Sequence, residues 1–252
     1  MTSLDDKTKR DVEMFREWVA KTPSGGMVFF GGAGVSTESD IPDFRSADGV
    51  FAQKYPCPPE QMVSRSFFDA HPAAFYDFYC DRMLALDAQP NQAHRKLAEL
   101  EKAGTLRAVV TQNIDALHQK ADSQQVYELH GSVLRNFCMG CGAAYSVEQL
   151  LELREAAADG VPRCPTCGGI VKPDVVLYEE TLDERTLKGA MQAIAEASFL
   201  VIAGTSLAVY PAAGLIDGFH GSHLAIINRT PTPRDRYADL CLTANVGEAF
   251  DF

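Results

Sequence analysis

The sequence predicts an α/β fold in which a parallel, helix-covered sheet carries a smaller inserted lobe. Short apolar runs of strand length alternate with segments of helical periodicity, a pattern typical of parallel sheets. Two long regions interrupt this alternation, and one of them holds four paired cysteines. With 252 residues, 46% of them hydrophobic, the chain is long enough to bury one large core and a smaller one beside it.

The predicted strands are continuous apolar runs, as expected of strands that are buried on both faces. The first run leads directly into a glycine-rich stretch, which indicates a strand followed by a tight loop. The clear runs are residues 27–30, 106–111, 199–203 and 224–227, and the weaker ones are residues 126–129 and 238–242.

Helical segments accompany these strands. Residues 5–21 carry apolar side chains at helical spacing. Asn91 precedes a second periodic run and is predicted to cap it. Thr181 and Glu184 have the spacing of a capping box, which predicts a helix that continues to about Ala197.

Two regions are predicted to be insertions that together form the smaller lobe. The first is loop-rich and then aromatic and helical, and the second contains one helix opened by the capping box Ser146 and Gln149. A cleft between two lobes is the default place for a ligand. The predicted small domain comprises residues 36–85 and 134–174, and the predicted sheet domain comprises residues 1–35, 86–133 and 175–252.

The charge balance argues against nucleic-acid and membrane binding through the general charge of the chain, and leaves a local basic patch open. Lysine and arginine total 23 and aspartate and glutamate total 34, for a net charge of −11. A chain this acidic lacks the general electrostatic footprint of proteins that bind nucleic acid or anionic membranes. The sequence has no apolar run of membrane-spanning length and no secretory signal at its N-terminus, so we expect a cytoplasmic protein.

Four of the seven cysteines form two Cys-x-x-Cys pairs, with 22 residues between Cys141 and Cys164. Two such turns present four thiolates to one zinc ion, and four thiolates leave no open position for water, so the predicted zinc is structural. The alternative is two unrelated redox or packing pairs. The predicted metal ligands are Cys138, Cys141, Cys164 and Cys167. The other three cysteines are predicted to be small buried or half-buried residues: Cys57, Cys80 and Cys241.

Small and polar residues follow several predicted strands. The stretch from Gly32 to Thr37 has glycines that let backbone amides approach a phosphate, although it lacks the third glycine of the dinucleotide fingerprint and a plain tight turn is the alternative. Thr205 and Asn228 follow two other strands, and Asn228 is placed to contact a ribose hydroxyl or to form an Asx-turn. Open α/β sheets bind ligands beyond these strand ends.

Three further groups complete the candidate site. Gln112, Asn113 and Asp115 follow one strand, and three polar side chains there exceed what a turn requires. His130 follows a short apolar run; taken alone it is either structural or a proton acceptor near neutral pH. The stiff turn at residues 41–45 joins an acid, an aromatic ring and a base, which also fits a surface ion pair beside a packed ring.

Taken in order, these motifs resemble the sirtuin family, the NAD-dependent protein lysine deacylases. The resemblance spans nearly the whole chain and rests on the ordered set, because no single motif is specific. The matching pieces are residues 32–36, 41–45, 112–115, His130-Gly131, the four cysteines, residues 204–206 and Asn228.

The resemblance implies a Rossmann-type large domain and a small domain made of a zinc ribbon and a helical module. It also implies that NAD is consumed as a co-substrate, that an acyl-lysine protein is the partner, and that nicotinamide, free lysine and O-acyl-ADP-ribose are the products. The acyl group is expected to be acetyl. The implied catalytic residues are His130, as general base for a ribose hydroxyl, with Asn113 and Asp115.

The resemblance further implies which residues contact the two substrates. Phe44 would cover the ribose and exclude water. The NAD contacts implied are Gly32, Ala33, Gly34, Ser36, Thr37, Asp43, Phe44, Arg45, Gln112, Asn113, Ile114, Asp115, His130, Gly204, Thr205, Ser206, Asn228 and Val246. The peptide would add as an extended strand against Val176, Leu177, Tyr178 and Val209.

Two features qualify the resemblance. Tyr178-Glu179-Glu180 stands where most members have Phe-Gly-Glu, so the peptide preference is open. Tyr79 and Arg82 have the spacing of the carboxylate-binding pair in the desuccinylase and demalonylase branch; a packed tyrosine beside a solvated arginine is the alternative. Protein mono-ADP-ribosyl transfer and a zinc-ribbon binding module without catalysis are the other functions considered.

Overall fold

A parallel sheet forms the centre of the computed structural model, which describes residues 6–44, 49 and 57–252. Its strands are β1 (Met27–Gly31), β2 (Leu106–Thr111), β3 (Val126–Glu128), β7 (Phe199–Ala203), β8 (His223–Ile227) and β9 (Leu240–Leu242). Their order in the sheet is β3-β2-β1-β7-β8-β9, and every neighbouring pair is parallel. All six predicted strands are therefore present, the two weaker ones included.

Helices cover both faces of this sheet. They are α1 (Asp6–Lys21), α5 (Gln92–Lys102), α6 (Leu117–Lys120), α8 (Glu184–Ala195) and α9 (Val246–Ala249). Alternate residues of one strand enter opposite cores, since Phe29 packs in the same cluster as Phe15 of α1, while Phe30 packs with Ile194 of α8. Each such buried side chain contributes about 1.5–3 kcal/mol of hydrophobic stabilisation.

The caps explain where two of these helices begin. Asn91 caps α5, and its side-chain oxygen accepts hydrogen bonds from the backbone amides of Ala93 and His94, as predicted. The predicted cap of α8 is wrong. Asp183, not Thr181, accepts from the Thr186 amide at 2.8 Å, because an aspartate directly before the first helical turn offers a charged acceptor there.

The smaller lobe combines a helical module with a second sheet. The helices are α2 (Pro59–Met62), α3 (Arg65–Ala70), α4 (Pro72–Arg82) and α7 (Val147–Ala156), and the antiparallel strands, in the order β5-β4-β6, are β4 (Gly131–Cys138), β5 (Ala144–Tyr145) and β6 (Val171–Val175). Ser146 and Gln149 form the predicted capping box at the start of α7. The exact domain limits stay a prediction.

One hydrophobic core joins the two insertions. Phe75 and Tyr76 from the first pack in the same buried cluster as Leu150 and Val171 from the second. The cluster continues to Leu177, which precedes the return of the chain to the parallel sheet. No helix in the described parts of the chain has the length and apolar character needed to cross a bilayer.

Candidate active site

A cavity of about 440 Å³ lies where the carboxyl ends of β1, β2, β7 and β8 face the smaller lobe. This is the position expected for a ligand of an open α/β sheet. Most of the predicted site residues line it: Gly32, Ala33, Gly34, Ser36, Asp43, Phe44, Gln112, Asn113, Ile114, Asp115, His130, Val176, Leu177, Tyr178, Gly204, Thr205, Ser206, Val209, Asn228, Val246 and Arg82.

The glycine-rich loop is packed against the end of β7. The Gly34 amide donates to the Gly204 carbonyl at 2.8 Å, and a Cβ at Gly34 would lie 2.7 Å from the Gly204 Cα. Gly204 has a φ of +60°, a conformation that favours glycine. Side chains at these two positions would force the loops apart, so the glycines keep the backbone close to the cavity.

Ser36 joins the glycine-rich loop to the end of β2. Its hydroxyl donates to the Asp115 carboxylate at 2.7 Å and accepts from the Asn113 side-chain amide at 3.1 Å. Asp115 also accepts from the Leu117 amide at 2.9 Å. Burial raises the pKa of Asp115, while the hydrogen bonds from Leu117 and Ser36 act in the opposite direction. This bonded set fixes one end of the cavity.

His130 lies at the boundary between the two sheets. Its Nδ1 is 2.9 Å from the Gln112 carbonyl oxygen, which can only accept, so Nδ1 carries the proton and Nε2 of the neutral ring is the free base. Burial lowers the pKa of His130, and the contact with Gln112 opposes that effect. The next residue, Gly131, has a φ of +78°, and a Cβ there would lie 1.8 Å from the Asp174 carbonyl oxygen.

Polar side chains bridge strand ends on the sheet side of the cavity: Gln112 reaches past the end of β1 to Thr205, and Asn228 joins the ends of β7 and β8. The Gln112 side chain donates to the Thr205 hydroxyl at 3.1 Å. The Asn228 side-chain amide donates to the carbonyls of Thr205 at 3.4 Å and Thr230 at 2.9 Å. Asn228 therefore makes the turn contacts of its structural alternative, and it also lines the cavity.

The segment from Val176 to Glu180 forms the opposite wall. The Val176 amide donates to the His130 carbonyl at 2.9 Å, which ties this wall to the histidine. On its outer side, the Tyr178 amide donates to the Val63 carbonyl at 3.0 Å. Val209 lines the cavity from the loop after β7. The segment from Val176 to Glu180 and the loop that contains Val209 therefore border the same cavity. An extended peptide binds between two such segments through backbone hydrogen bonds.

Three predicted site residues stand apart from this set. Arg45 lies outside the described residues. Thr37 does not line the cavity, and its hydroxyl donates to the Gly34 carbonyl at 3.1 Å, so its NAD contact stays a prediction. The pairing of Tyr79 with Arg82 stays a prediction, and only Arg82 lines the cavity. Tyr79 is fully buried and stacks on Phe75 at 5.8 Å between ring centroids.

Arg82 and Tyr79 have different surroundings. Arg82 is the last residue of α4, its guanidinium lies 2.7 Å from Asp81, and the residue borders the cavity. Tyr79 is buried in the core of the smaller lobe and does not line the cavity. The buried Tyr79 matches the packed tyrosine of the alternative, and a carboxylate shared by the two side chains stays a prediction.

The structure adds residues that the sequence did not indicate. Asn245, at the start of α9, lines the cavity, and the Gly247 amide donates to the Glu38 carboxylate at 2.6 Å. Arg229 also lines the cavity and lies 3.3 Å from the Asp43 carboxylate. Each of these residues is adjacent in sequence to a predicted contact: Glu38 follows Thr37, Arg229 follows Asn228 and Asn245 precedes Val246. Adjacency was their only signal in the sequence.

The four paired cysteines meet at one point in the smaller lobe. Their sulfur atoms all lie within 4.8 Å of one another, with 3.3 Å between Cys138 and Cys167 and 3.7 Å between Cys141 and Cys164. A tetrahedral zinc site with Zn–S bonds of about 2.3 Å separates its sulfurs by about 3.8 Å. A Cβ at Gly169 would lie 3.0 Å from the Cys138 sulfur, so glycine is needed beside it. The set fits one structural zinc.

Comparisons with known proteins agree with this geometry. The Sir2 family model matches residues 32–211. The NAD-dependent protein deacetylase of Clostridium perfringens is 51% identical over 248 residues, covering 97% of each chain. That of Cutibacterium acnes is 50% identical over 238 residues, covering 94% of each.

Solved structures are similar over the same length. A Sir2 structure with a p53 peptide and NAD+ superposes with a TM-score of 0.83 at 36% identity, covering 95% of each chain. A Sir2 structure bound to a propionylated peptide has a TM-score of 0.84 at 36% identity and the same coverage.

Proposed function

The chain belongs to the Sir2 family, and from this premise we propose that it is an NAD-dependent protein deacetylase. It removes acetyl groups from lysine side chains of proteins and yields nicotinamide, the free lysine and O-acetyl-ADP-ribose. Two bonds break, the ribose–nicotinamide bond and the amide bond between the acetyl group and the lysine nitrogen; the acetyl group ends on the ribose, one water molecule supplies the remaining oxygen and protons, and no hydride is transferred. The observation that supports the proposal is that the same cavity is bordered by two sets of residues. On one side lie the glycine-rich loop and His130, and on the other lies the segment from Val176 to Glu180, here called the peptide wall.

The cofactor side of the cavity has donors and acceptors suited to NAD. The backbone amides of the loop from Gly32 to Gly34 would face the pyrophosphate. Asp115 and the Ile114 backbone would hold the nicotinamide carboxamide. The Ser36 hydroxyl keeps both neighbours in place, because it donates to Asp115 and accepts from Asn113. NAD supplies the reacting glycosidic bond; these residues bind and orient it.

His130 is the proposed general base. Because its Nδ1 donates to the Gln112 carbonyl, Nε2 is free to accept a proton from a ribose hydroxyl. Its lowered pKa keeps the ring neutral at pH 7, which is the form a base requires. Phe44 lines the same cavity and would exclude water from the reacting carbon.

The remaining proposals concern metal, partners and compartment. The four cysteines would hold one zinc ion whose role is to fold the smaller lobe. The net charge of −11 supports protein substrates rather than nucleic acid as partners. We place the protein in the cytoplasm, because zinc-binding thiols persist in a reducing compartment.

The direct test incubates the purified chain with NAD and an acetyl-lysine peptide. Mass spectrometry should detect the deacetylated peptide, nicotinamide and O-acetyl-ADP-ribose, while the same peptide with unmodified lysine should give none of them. A mass increase on a protein with no O-acetyl-ADP-ribose would indicate ADP-ribosyl transfer instead. Peptide binding without release of nicotinamide would indicate a binding module and contradict the proposal.

A further inference from the structure

Glu179 has an unusual backbone conformation within the peptide wall. Its φ is +78°, in the left-handed region that glycine adopts freely and that other residues rarely occupy. A glutamate in this conformation costs about 1 kcal/mol or more. Such strain persists only where the surroundings hold the residue in place, so the contacts of Glu179 identify what holds it.

The side chain of Glu179 is fixed to the first turn of α3. Its Oε2 accepts from the Ser66 backbone amide at 2.8 Å, and its Oε1 accepts from the Ser66 hydroxyl at 2.9 Å. Both oxygens of one carboxylate are thus bound by one residue. These two charge-assisted hydrogen bonds offset the strain of the backbone.

The neighbouring glutamate, Glu180, makes a different set of contacts. Glu180 accepts from the Leu177 amide at 2.9 Å and lies 3.1 Å from both Lys172 and Arg65. Glu180 therefore closes the turn on itself and ties it to Lys172 of β6 and to the Arg65 side chain of α3, whereas Glu179 is bound by the backbone and hydroxyl of Ser66. Both acidic residues link the wall to α3, through different groups.

The backbone between these anchors faces the cavity. Val176, Leu177, Tyr178 and Glu179 all line it. Behind this wall, the Arg65 amide donates to the Tyr178 carbonyl at 2.9 Å, so the wall is paired with the residue that starts α3. A shift of the Glu179 backbone would move the part of the wall at Tyr178 and Glu179 most, because Val176 at its other end stays bonded to the His130 carbonyl.

We propose that Glu179 is a positioning residue for the acyl-lysine peptide: its carboxylate, bound by Ser66, holds the wall from Val176 to Glu179 in the geometry that receives the peptide strand. The inference rests on the proposed deacetylase function and assigns a residue that sets peptide affinity without contributing to NAD binding. Its action is mechanical, through the backbone, and does not require a contact between the carboxylate and the peptide.

The test is a series of variants at position 179. Glu179→Ala retains a Cβ in the left-handed conformation and loses both hydrogen bonds, so we expect the Kd and KM for an acetyl-lysine peptide to rise about tenfold, the equivalent of roughly 1.4 kcal/mol. Glu179→Gly loses the bonds but relieves the strain, and we expect a rise of about threefold. The KM for NAD should stay within about twofold of wild type.

Ser66 provides the partner variant and Glu60 the control. Ser66→Ala removes one of the two hydrogen bonds, and its effect should not add to that of Glu179→Ala in the double variant. Glu60→Gln removes a charge from an exposed residue of the same module that makes no hydrogen bond or ion pair among the described residues. This control should bind both substrates as the wild type does.

Peptide affinity is measured by the anisotropy of a labelled acetyl-lysine peptide, in parallel with turnover and thermal unfolding. An unchanged peptide Kd in both the alanine and the glycine variant would overturn the inference, as would an equal rise in the KM for NAD. A wild-type chain that binds the peptide but releases no nicotinamide contradicts the proposed function alone, because the effect of Glu179 on binding is still measured.

Discussion

The Ser36 hydroxyl donates its only proton to Asp115, over 2.7 Å, and therefore meets the Asn113 amide as an acceptor. Ser36 lies on the glycine-rich loop, while the other two residues follow β2. One hydroxyl thus sets the orientation of two side chains that border the cavity. The loop and the strand end are joined by a hydrogen bond to a charged group, which is stronger than one between neutral groups.

Replacing Ser36 should weaken the use of NAD. Ser36→Ala removes a hydrogen bond to the buried Asp115 and leaves the Asn113 amide without its acceptor, so we expect kcat/KM for NAD to fall about tenfold or more. The control is Ser39→Ala, in the same loop, because the buried Ser39 hydroxyl has no hydrogen-bond partner in the part of the chain that the structure describes. Initial-rate kinetics should show no loss for this control; equal losses in both variants would contradict the assignment.

With His130 as the general base, kcat/KM for the peptide should fall only at acidic pH. The neutral form of His130 is the active one, and burial lowers its pKa below the ordinary value of 6.5. Activity should therefore remain high as the pH falls to 6.5 and be lost only below it, as the ring becomes protonated. The pH profile of kcat/KM for the peptide measures this loss.

The matched variant for this profile is His130→Ala, compared with the exposed His220→Gln. We expect His130→Ala to lose at least about a hundredfold in turnover, the typical contribution of general base catalysis, while His220→Gln keeps the wild-type profile. An acid limb centred above 6.5 in the wild type would contradict the lowered pKa.

The fold was predictable where each residue's neighbours along the chain decide its environment. The apolar runs at residues 27–30 and 199–203 predict β1 and β7, because a strand buried on both faces needs apolar side chains throughout. The position of Gln112 and Asn113 followed from the same reasoning, since the carboxyl ends of parallel strands meet at one edge. The cysteine spacing predicted the metal cluster, because each pair is a local turn.

Features that depend on distant partners were not predictable. The strained backbone of Glu179 exists because Ser66, far away in sequence, binds its carboxylate. Helical spacing alone is compatible with contact between Tyr79 and Arg82. In the folded protein, the Tyr79 ring is buried in the core of the smaller lobe, while Arg82 borders the cavity. Asn245 reaches the site only because α9 packs beside the glycine-rich loop.

Metal removal should unfold the smaller lobe before the larger one. Cys138 and Cys164 are buried in the same core as Leu177, so loss of the metal should disturb the peptide wall as well. We expect one zinc per chain by metal analysis and a lower unfolding temperature after chelation. Cys164→Ser should reproduce this effect. Cys241 lies outside the cluster and is exposed, not buried or half-buried as predicted, so Cys241→Ser should leave the unfolding temperature unchanged. Folded protein that contains no zinc would contradict the structural role.

Two buried tyrosines on α4 should respond oppositely to loss of their hydroxyls. The Tyr76 hydroxyl donates to the Val171 carbonyl at 2.6 Å, so Tyr76→Phe leaves a buried acceptor unpaired and should cost about 1–2 kcal/mol of unfolding free energy. The buried Tyr79 hydroxyl has no partner among the described residues, and Tyr79→Phe should be neutral or stabilising.

Denaturant unfolding of the two phenylalanine variants measures this difference, and the acyl preference is measured on the same proteins. Tyr79→Phe should keep the wild-type ratio of activity on acetyl- and succinyl-lysine peptides, because the ring does not border the cavity. A selective loss of desuccinylation in this variant would instead support a role of Tyr79 with Arg82 in binding an acidic acyl group.

Arg135 should stabilise the passage between the two sheets. Its guanidinium lies 2.7 Å from Glu128, the last residue of β3, and 2.8 Å from Asp174 in β6. One side chain of β4 therefore links the end of β3, after which the chain leaves the parallel sheet, to β6, through which it returns. The Glu128 side chain is only 9% exposed, so removing its partner leaves a nearly buried charge unpaired. Arg135→Met should therefore cost about 1–3 kcal/mol of unfolding free energy.

The comparison that isolates this effect uses a second arginine and a second partner. Arg163→Met breaks an exposed ion pair with Asp159 and should cost less than about 1 kcal/mol. Glu128→Gln combined with Arg135→Met should recover stability relative to Arg135→Met alone, because no buried charge remains. Since His130 and Val176 follow the two residues that Arg135 binds, we also expect Arg135→Met to lower turnover at saturating NAD; full activity with unchanged unfolding free energy would show that the bridge holds neither strand.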